Sequence, residues 1–438
     1  MTGPSADAPK PMDLLRTRGY VGLLFLGALV GVPVAIVAYY FLELVNRGQR
    51  YFFTDLPQDL GFAGAPDWWP IPVVAVGGLI VGLGLRYLPG TGGHNPAEGF
   101  KTGGTVAARD LPGIAWAALA TLVFGAVLGP EAPLLLIGAG LAVLIARLIK
   151  RDTPEKAIVL IGAAGGFAAI ATLLISPLAG AFLILEAAGA GGAMTSVVLA
   201  PGLLAAGIGA LIFVGLDHLT GFGTFSLAVP NVPHLGTPTV AEFGWAIVIG
   251  LAAAVLGTAI RRLAFQIQAI ASRRTMLLTV LAGLVVGGFA ALFAGVTTKG
   301  AEQVLFSGQN ALPPLIEQAG TWSVGELLLL VLCKSLAYGV SLSAFRGGPT
   351  FPGMFIGAAG GLALSHLAGL PLTAGVGMGT GAMTVVMLGG LPLTAVLLTL
   401  LFLASEATNL VSLVIVAVVV AWVTAARLSP WLRPHAPA

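Results

Sequence analysis

Residues 129–139 read GPEAPLLLIGA, and a related stretch, GPTFPGMFIGA, occupies residues 348–358. Both stretches lie in long apolar regions, and they share Gly, Pro, Pro, Ile, Gly and Ala at the same offsets. Because glycine and proline interrupt a membrane helix, each copy is predicted to open a half-helix whose N-terminus points into the membrane. Paired interruptions in the two halves of a membrane protein indicate an ion or substrate site near the midplane. The copies differ at the third position, which is Glu131 in the first and Thr350 in the second.

The composition identifies the class of protein. Hydrophobic residues make up 57% of the 438-residue chain and charged residues only 9%, and the mean hydropathy is +0.98. These values exclude a soluble globular protein, and the 62 glycines suit membrane helices that pack through small residues. The net charge of +3 is small and scattered, so no nucleic-acid partner is expected, while a lone Cys333 excludes a disulfide framework. We predict an all-α polytopic protein of the lipid bilayer that is not an enzyme and has no cofactor or metal.

Apolar segments divide the chain into two halves. The first apolar run extends from residue 18 to about residue 45, which is too long for the core of a signal peptide, so we predict a retained membrane helix. The predicted organisation is a polar N-terminal segment (1–17), a first transmembrane repeat (18–216), an inter-repeat linker (217–240), a second transmembrane repeat (241–427) and a C-terminal tail (428–438).

The repeat extends beyond the opening motif. Pro177 in the first half matches Pro392 in the second, and a glycine precedes each by eleven residues, at Gly166 and Gly381. Several apolar segments are too short to cross about 30 Å of hydrocarbon at about 1.5 Å per residue, so broken helices are expected. The predicted segments lie near 112–128, 131–149, 155–173, 177–189 and 193–215, and then near 241–266, 275–297, 324–344, 352–368, 372–389, 392–408 and 410–426.

From roughly residue 18 to residue 427 the chain resembles the CLC chloride channels and proton-coupled anion exchangers. GPEAP at 129–133 is similar to that family's Gly-Arg-Glu-Gly-Pro segment, and GPTFP at 348–352 to its Gly-x-Phe-x-Pro segment. GGHNP at 92–96 falls where the family has Gly-Ser-Gly-Ile-Pro, and PLAG at 177–180 matches its Pro-Leu-Ala-Gly helix. The resemblance implies a CLC-type fold of two inverted structural repeats with broken, re-entrant helices, in a prokaryotic-type member without cytoplasmic regulatory domains.

The resemblance also implies a function. It predicts a multi-pass cell-membrane protein that transports chloride or another small inorganic anion. It predicts a homodimer as well, with the Gly/Ala-rich segment 177–190 at the subunit interface. Membrane orientation and anion selectivity stay open at this point.

The physical chemistry of the motifs supports an anion path independently. The free N–H groups and positive dipole end of a helix N-terminus bind anions without a full positive charge, and weak neutral donors let a permeating anion leave again. Half-helices starting at Gly92, Gly129 and Gly348 are expected to converge; the alternative is that these residues only kink helices for packing. The predicted anion-binding residues are Gly92, Gly93, Pro96, Gly129, Ala132, Gly348, Thr350, Phe351 and Thr408.

Glu131 is the candidate gate. A carboxylate at a half-helix start within an apolar stretch is costly, which indicates a functional role. In the family that this chain resembles, the ionised glutamate occupies the anion site and the protonated one swings away. The alternative is a carboxylate that caps its own helix and does not move.

The sequence departs from the family's pattern at the anion site. The family's serine falls on Gly93, its late tyrosine has no counterpart after Tyr338, and Pro349 has no N–H where the family uses a backbone donor. The hydroxyl of Thr350 is the expected compensation. Lys334 and Arg346 are interpreted as interfacial or snorkelling cations.

Proton coupling is also in question. The family's inner proton-relay glutamate falls on Ala187, which leaves Glu186 and Glu406 as the candidates for a proton path. We therefore predict passive anion conduction through a glutamate-gated pore. The alternatives are a proton-coupled exchanger with another proton route and a non-conducting anion-binding membrane protein.

Overall fold

The computed structural model describes residues 16–100, 106–174, 176–189, 194–222, 229, 232–271 and 275–432. Across these residues the chain is helical, with short 3-10 turns between some of the helices. The α-helices of the described residues are α1 (Arg18–Arg50), α2 (Leu56–Asp59), α3 (Pro70–Tyr87), α4 (Leu111–Val123), α5 (Glu131–Ile149), α6 (Glu155–Leu174), α7 (Pro177–Ala187), α8 (Met194–Thr220), α9 (Val240–Ala271), α10 (Thr275–Val296), α11 (Leu312–Glu317), α12 (Val324–Ala344), α13 (Thr350–Leu364), α14 (Leu372–Met387), α15 (Pro392–Phe402) and α16 (Ala407–Leu428).

The helices have unequal lengths, as the sequence predicted. Nine helical stretches of the described chain are long and apolar enough to cross a membrane, whereas α7, α13, α14 and α15 are shorter. The matched prolines Pro177 and Pro392 each begin a helix of 11 residues, α7 and α15. Proline is favoured at the first helical position because its missing N–H has no partner to lose there. The prediction of broken helices with a repeated order is confirmed.

The first helix is longer than the sequence predicted. Instead of ending near residue 45, α1 reaches Arg50 and continues through a π-helical turn, Tyr51–Asp55, into α2. Packing of the aromatic residues in this turn accounts for the extension. The ring centroids of Phe52 and Phe124 are 4.5 Å apart, and Trp69 Nε1 donates to Phe52 O at 2.8 Å.

Two compact units divide the chain. The first unit comprises Met1–Tyr40, Thr102–Leu111 and Leu134–Ser226. Within it α6 packs on α8, where a side chain at Gly202 would overlap the ring of Phe167. Tyr39 Oη and Thr220 Oγ1 share a hydrogen bond of 2.7 Å. Small residues therefore allow close helix packing in this unit, as expected in a membrane.

The second unit comprises Phe41–Lys101, Pro112–Pro133 and Leu227–Ala438, so it holds the first motif copy through Pro133 and the whole second copy. Within it α3 packs on α10, and α14 packs on α9, α13 and α16. Helices α13 and α14 touch backbone to backbone at Gly357 with Gly379. Every residue of α14 from Thr373 to Met387 is buried, so α14 lies at the core of this unit.

Candidate functional site

The two motif copies meet at their first glycines, in the second unit. Gly129 N–H donates to Gly348 O at 2.8 Å, and Gly348 N–H donates to Gly129 O at 2.6 Å. These two bonds form an isolated antiparallel bridge. Reciprocal bonds between equivalent positions are what a local two-fold relation between two copies produces. The bridge brings Glu131, the first residue of α5, to the first turn of α13.

The Glu131 carboxylate lies at the N-terminus of α13. The residue is 1% exposed, and its Oε1 accepts a hydrogen bond of 2.9 Å from Phe351 N–H. The N–H group of Glu131 itself and the N–H and hydroxyl groups of Thr350 also lie near this carboxylate. A helix N-terminus attracts negative charge through its free N–H groups and its dipole. The carboxylate from the first copy therefore lies where the N-terminus of the second copy's helix favours negative charge.

Two glycines leave room for this carboxylate. A Cβ atom added at Gly129 or at Gly348 would overlap the carboxylate group of Glu131. The same added atom at Gly348 would lie 3.1 Å from Ala132 N. The motif glycines that the sequence identified as helix breakers thus also shape the space around the acid.

The hydroxyl of Thr350 is buried at the site. Thr350 is 1% exposed, and its Oγ1 and Glu131 Oε2 are both buried atoms with no hydrogen-bond partner that meets standard geometry in the described chain. Because a hydroxyl group can donate one hydrogen bond and accept two, the Thr350 hydroxyl has an unused donor beside the carboxylate. The position supports its predicted role as a hydroxyl donor.

Tyr338 is a site residue whose role the sequence did not indicate. It is fully buried on α12, and its Oη donates a hydrogen bond of 2.6 Å to Pro349 O, at the start of α13. This bond satisfies the Pro349 carbonyl group and joins α12 to the start of α13. A signal was present in the sequence, because Lys334, Tyr338 and Ser341 recur at helical spacing on one face of an apolar segment.

The segment around Gly92 differs from its prediction. No half-helix starts there; Pro96–Glu98 form a 3-10 turn, and its Ala97 N–H is bonded to Asn95 Oδ1 at 3.1 Å. The cause is a run of left-handed backbone from Gly90 to Gly93, with φ of 48° at Thr91, which ends helical continuity. Among the described residues the half-helix N-termini that meet at Glu131 are therefore those of α5 and α13, and the third predicted half-helix is wrong.

Arg346 holds the Gly90–Gly93 segment in place. Its Nε donates to Thr91 O at 3.2 Å, and its Nη1 donates to Phe345 O at 3.0 Å. The Arg346 backbone N–H donates to Thr121 Oγ1 at 3.1 Å. The side chain is thus bonded to backbone carbonyls near the second motif.

Comparisons with known proteins agree with this geometry. A family model described as "Voltage gated chloride channel" matches residues 77–426. The chain belongs to the CLC family. It is accordingly a multi-pass membrane protein from a family of anion channels and transporters.

Individual CLC relatives cover most of the chain. A protein of Salmonella paratyphi A named "Putative ion-transport protein YfeO" is 28% identical over 362 residues, which are 81% of this chain and 84% of that protein. The fold is similar to that of a slow cyanobacterial Cl⁻/H⁺ antiporter, with a TM-score of 0.74 at 19% identity over 94% of this chain and 97% of that one. It is also similar to that of a CLC-type fluoride/proton antiporter, with a TM-score of 0.69 at 20% identity over 92% and 95%.

Lys334 in this CLC chain is buried, and the prediction of an interfacial or snorkelling cation is wrong for it. The residue has no exposed surface, and its Nζ donates to the carbonyl oxygens of residues 303, 304 and 305 at 2.9, 3.1 and 2.9 Å. The same Nζ lies 4.5 Å from the centroid of the Phe355 ring. The turn presents several carbonyl groups to one point, so the amine is satisfied without reaching the membrane surface.

Other contacts or locations are found for Glu406, Thr408 and Glu186 of this CLC chain. Glu406 is 7% exposed and accepts hydrogen bonds of 3.0 Å from Leu235 N–H and from His234 Nδ1, which tie a loop to the start of α16. Thr408 is exposed in the first turn of α16. Glu186 lies near the end of α7 in the first unit.

Proposed function

We propose that this protein conducts chloride passively through a pore that Glu131 gates. The observation that carries the proposal is the Glu131 carboxylate accepting the Phe351 N–H at 2.9 Å while being 1% exposed. An ionised carboxylate in this place competes with a permeating anion for the same donors. Protonation removes its negative charge and with it the electrostatic attraction that holds the side chain at the helix N-terminus.

The donors at this position suit conduction. The Phe351 N–H is bonded to the carboxylate, the N–H and hydroxyl groups of Thr350 lie beside it, and none of these donors carries a full positive charge. Neutral donors bind an anion weakly enough for it to leave, which conduction requires. Pro349 has no N–H group to donate. The next residue, Thr350, stands where the family has a phenylalanine and adds a hydroxyl donor.

The proposal of passive chloride conduction is supported by Ala187, which stands where the family's exchangers have their inner proton-relay glutamate. Ala187 is the last residue of α7, and an alanine carries no proton. The Glu406 carboxylate is bonded to a loop rather than directed at Glu131. A proton hop through an apolar interior without a titratable group costs several kcal/mol.

The test is chloride efflux from proteoliposomes at neutral pH. Glu131→Gln keeps the shape of the side chain and removes the charge, so efflux is expected to rise above that of the wild type. Glu302→Gln, which changes an exposed acid, is the matched control and is expected to leave efflux unchanged. Equal efflux from Glu131→Gln and the wild type would reject the gate.

A proton-coupled exchanger is the second candidate. The observation in its favour is that two similar solved structures are described as antiporters, one for chloride and one for fluoride. Proton uptake driven by a chloride gradient separates it from passive conduction. A non-conducting anion-binding protein is the third candidate, and it would show no efflux in either the wild type or Glu131→Gln.

We also infer that the protein forms a homodimer through α7. Leu178 and Phe182 on this short helix have exposed fractions of 60% and 41%, which suits an apolar contact with a second copy. Replacement of both side chains by bulky tryptophan is expected to shift the mass measured in detergent from dimer to monomer. An unchanged mass would reject α7 as the interface.

A further inference from the structure

Arg261 on α9 has a buried nitrogen that the fold leaves without a partner. Its Nη1 donates a long hydrogen bond of 3.4 Å to Val386 O, and its Nε is buried with no hydrogen-bond partner in the described chain. A guanidinium group carries five N–H donors and is always charged in proteins. The residue as a whole is partly exposed, but its Nε N–H is buried without a partner in the part of the chain that the structure describes. Unsatisfied buried donors are costly, which indicates that another group binds here.

The guanidinium group lines a small cavity in the second unit. The cavity measures about 100 Å³, and Arg261 is the single charged residue in its lining. Thr258, Ser429 and the indole of Trp422 add polar groups, and the backbone of Gly389 and Gly390 completes one wall. Since a water molecule takes about 30 Å³ in the liquid, the space suits a small inorganic anion with a few waters. No carboxylate among the lining residues competes for the charge.

Helix α12 connects this cavity to the Glu131 site through direct contacts. An added Cβ at Gly339 would lie 3.3 Å from Ile260 O, so α12 passes close to α9 beside Arg261. The neighbour of Gly339 is Tyr338, whose Oη donates a hydrogen bond of 2.6 Å to Pro349 O at the start of α13. Helix α12 therefore contacts both α9, next to Arg261, and the start of α13, where the Glu131 carboxylate lies.

We propose that the Arg261 cavity is a second binding site for a small inorganic anion. The family's serine is replaced by Gly93 here and its late tyrosine is absent, so two hydroxyl donors are missing. The full positive charge of Arg261 would attract the anion in their place. The inference rests on the proposed anion transport, because it takes the same anion as its ligand. Capping of the α14 C-terminus alone does not account for Arg261, since that role uses one of its donors at 3.4 Å.

Chloride binding to the purified full chain tests the site. In the wild type the Glu131 carboxylate fills the gate position, so bound chloride reports the Arg261 cavity. Binding is measured with radioactive chloride at constant ionic strength, with gluconate as the replacing anion. Arg261→Gln is expected to weaken binding at least about tenfold, because a hydrogen-bonded charge is lost. Arg262→Gln, at the exposed neighbouring position, is the matched control and is expected to bind as the wild type does.

Two further measurements show whether a loss of chloride binding in Arg261→Gln comes from the missing charge rather than from misfolding or from a change at Glu131. Arg261→Lys keeps the charge and is expected to bind chloride with an affinity between those of the wild type and Arg261→Gln. Crystals of the wild type soaked in bromide are expected to show an anomalous peak beside the Arg261 guanidinium group. Equal chloride affinity in the wild type and Arg261→Gln, or no bromide peak in the cavity, would overturn the proposal.

The outcomes separate this site from the proposed function. Glu131→Gln is expected to add a second chloride per chain that Arg261→Gln does not remove. Raised efflux in Glu131→Gln together with unchanged binding in Arg261→Gln would reject the cavity and keep the gate. Binding that depends on Arg261, without efflux in any variant, would keep the cavity and reject the transport function.

Discussion

At the residue scale, two glycines without side chains, Gly129 and Gly348, leave the space that the Glu131 carboxylate occupies. A side chain at Gly129 or Gly348 would overlap the carboxylate group, and both glycines are held together by reciprocal hydrogen bonds of 2.8 and 2.6 Å. The carboxylate can therefore lie at the N-terminus of α13 because neither glycine has a side chain there. An added side-chain atom at either glycine would therefore displace the Glu131 carboxylate, which is the proposed gate.

Gly348→Ala is expected to push the carboxylate out of its position. The methyl group overlaps Glu131 and its neighbourhood, so chloride efflux at neutral pH should rise toward that of Glu131→Gln. Gly288→Ala on α10 is the matched control, because an added Cβ there meets no atom within 4 Å. Efflux from Gly348→Ala equal to that of the wild type, in protein that folds normally, would contradict this account of the gap.

Thr350→Val tests the hydroxyl donor. In a Glu131→Gln background, the change should weaken chloride binding at the vacated position by about 1.5 kcal/mol, roughly tenfold, as expected for a hydrogen bond to a charged group. Isothermal titration of the two proteins measures the difference. Thr380→Val is a matched control, because Thr380 Oγ1 is likewise buried without a partner but lies on α14. Equal loss in both variants would assign the effect to packing instead.

At the scale of the elements, Lys334 joins α12 to the turn at residues 303–306. Its amine donates to several carbonyl groups of this turn and lies over the Phe355 ring of α13, so one side chain connects three elements. The site helices α12 and α13 thus share a buried polar contact as well as apolar packing.

Lys334→Met is expected to lower the melting temperature in detergent by several degrees. Loss of the amine leaves buried carbonyl groups without a donor, at a cost on the order of 2 kcal/mol. Lys299→Met is the comparison, since Lys299 bonds to Thr321 and lies over Trp322 near the surface, where water replaces the lost bonds. A shift for Lys334→Met no larger than that for Lys299→Met would contradict the structural role.

Much of the order of the helices was predictable, because apolar runs indicate membrane helices and glycine and proline indicate where those helices are interrupted. Pro177 and Pro392 marked the starts of α7 and α15, and the motif copies marked the starts of α5 and α13. The 3-10 turn after Gly93 was not predictable, because glycine and proline precede half-helices and tight turns alike. The buried Lys334 was also missed, since its carbonyl partners are backbone groups that any sequence supplies.

At the scale of the whole molecule, the proposed function excludes tight coupling between chloride and protons. The chain has Ala187 in place of an inner acid, and Glu406 is bonded to the loop around Leu235. A chloride gradient imposed on proteoliposomes is therefore expected to move chloride without uphill proton movement. Robust proton pumping by the wild type would establish the exchanger, and Glu186→Gln and Glu406→Gln would then identify the relay.

The pH dependence of chloride efflux tests the central claim most directly, because the claim is that the protonation state of Glu131 decides whether the pore is open. Efflux from wild-type proteoliposomes is expected to rise as the pH falls, since a larger fraction of the carboxyl groups is then neutral and free to leave the N-terminus of α13. Glu131→Gln is expected to give high efflux that is independent of pH over the same range. Wild type and Glu131→Gln profiles with the same slope would contradict the account.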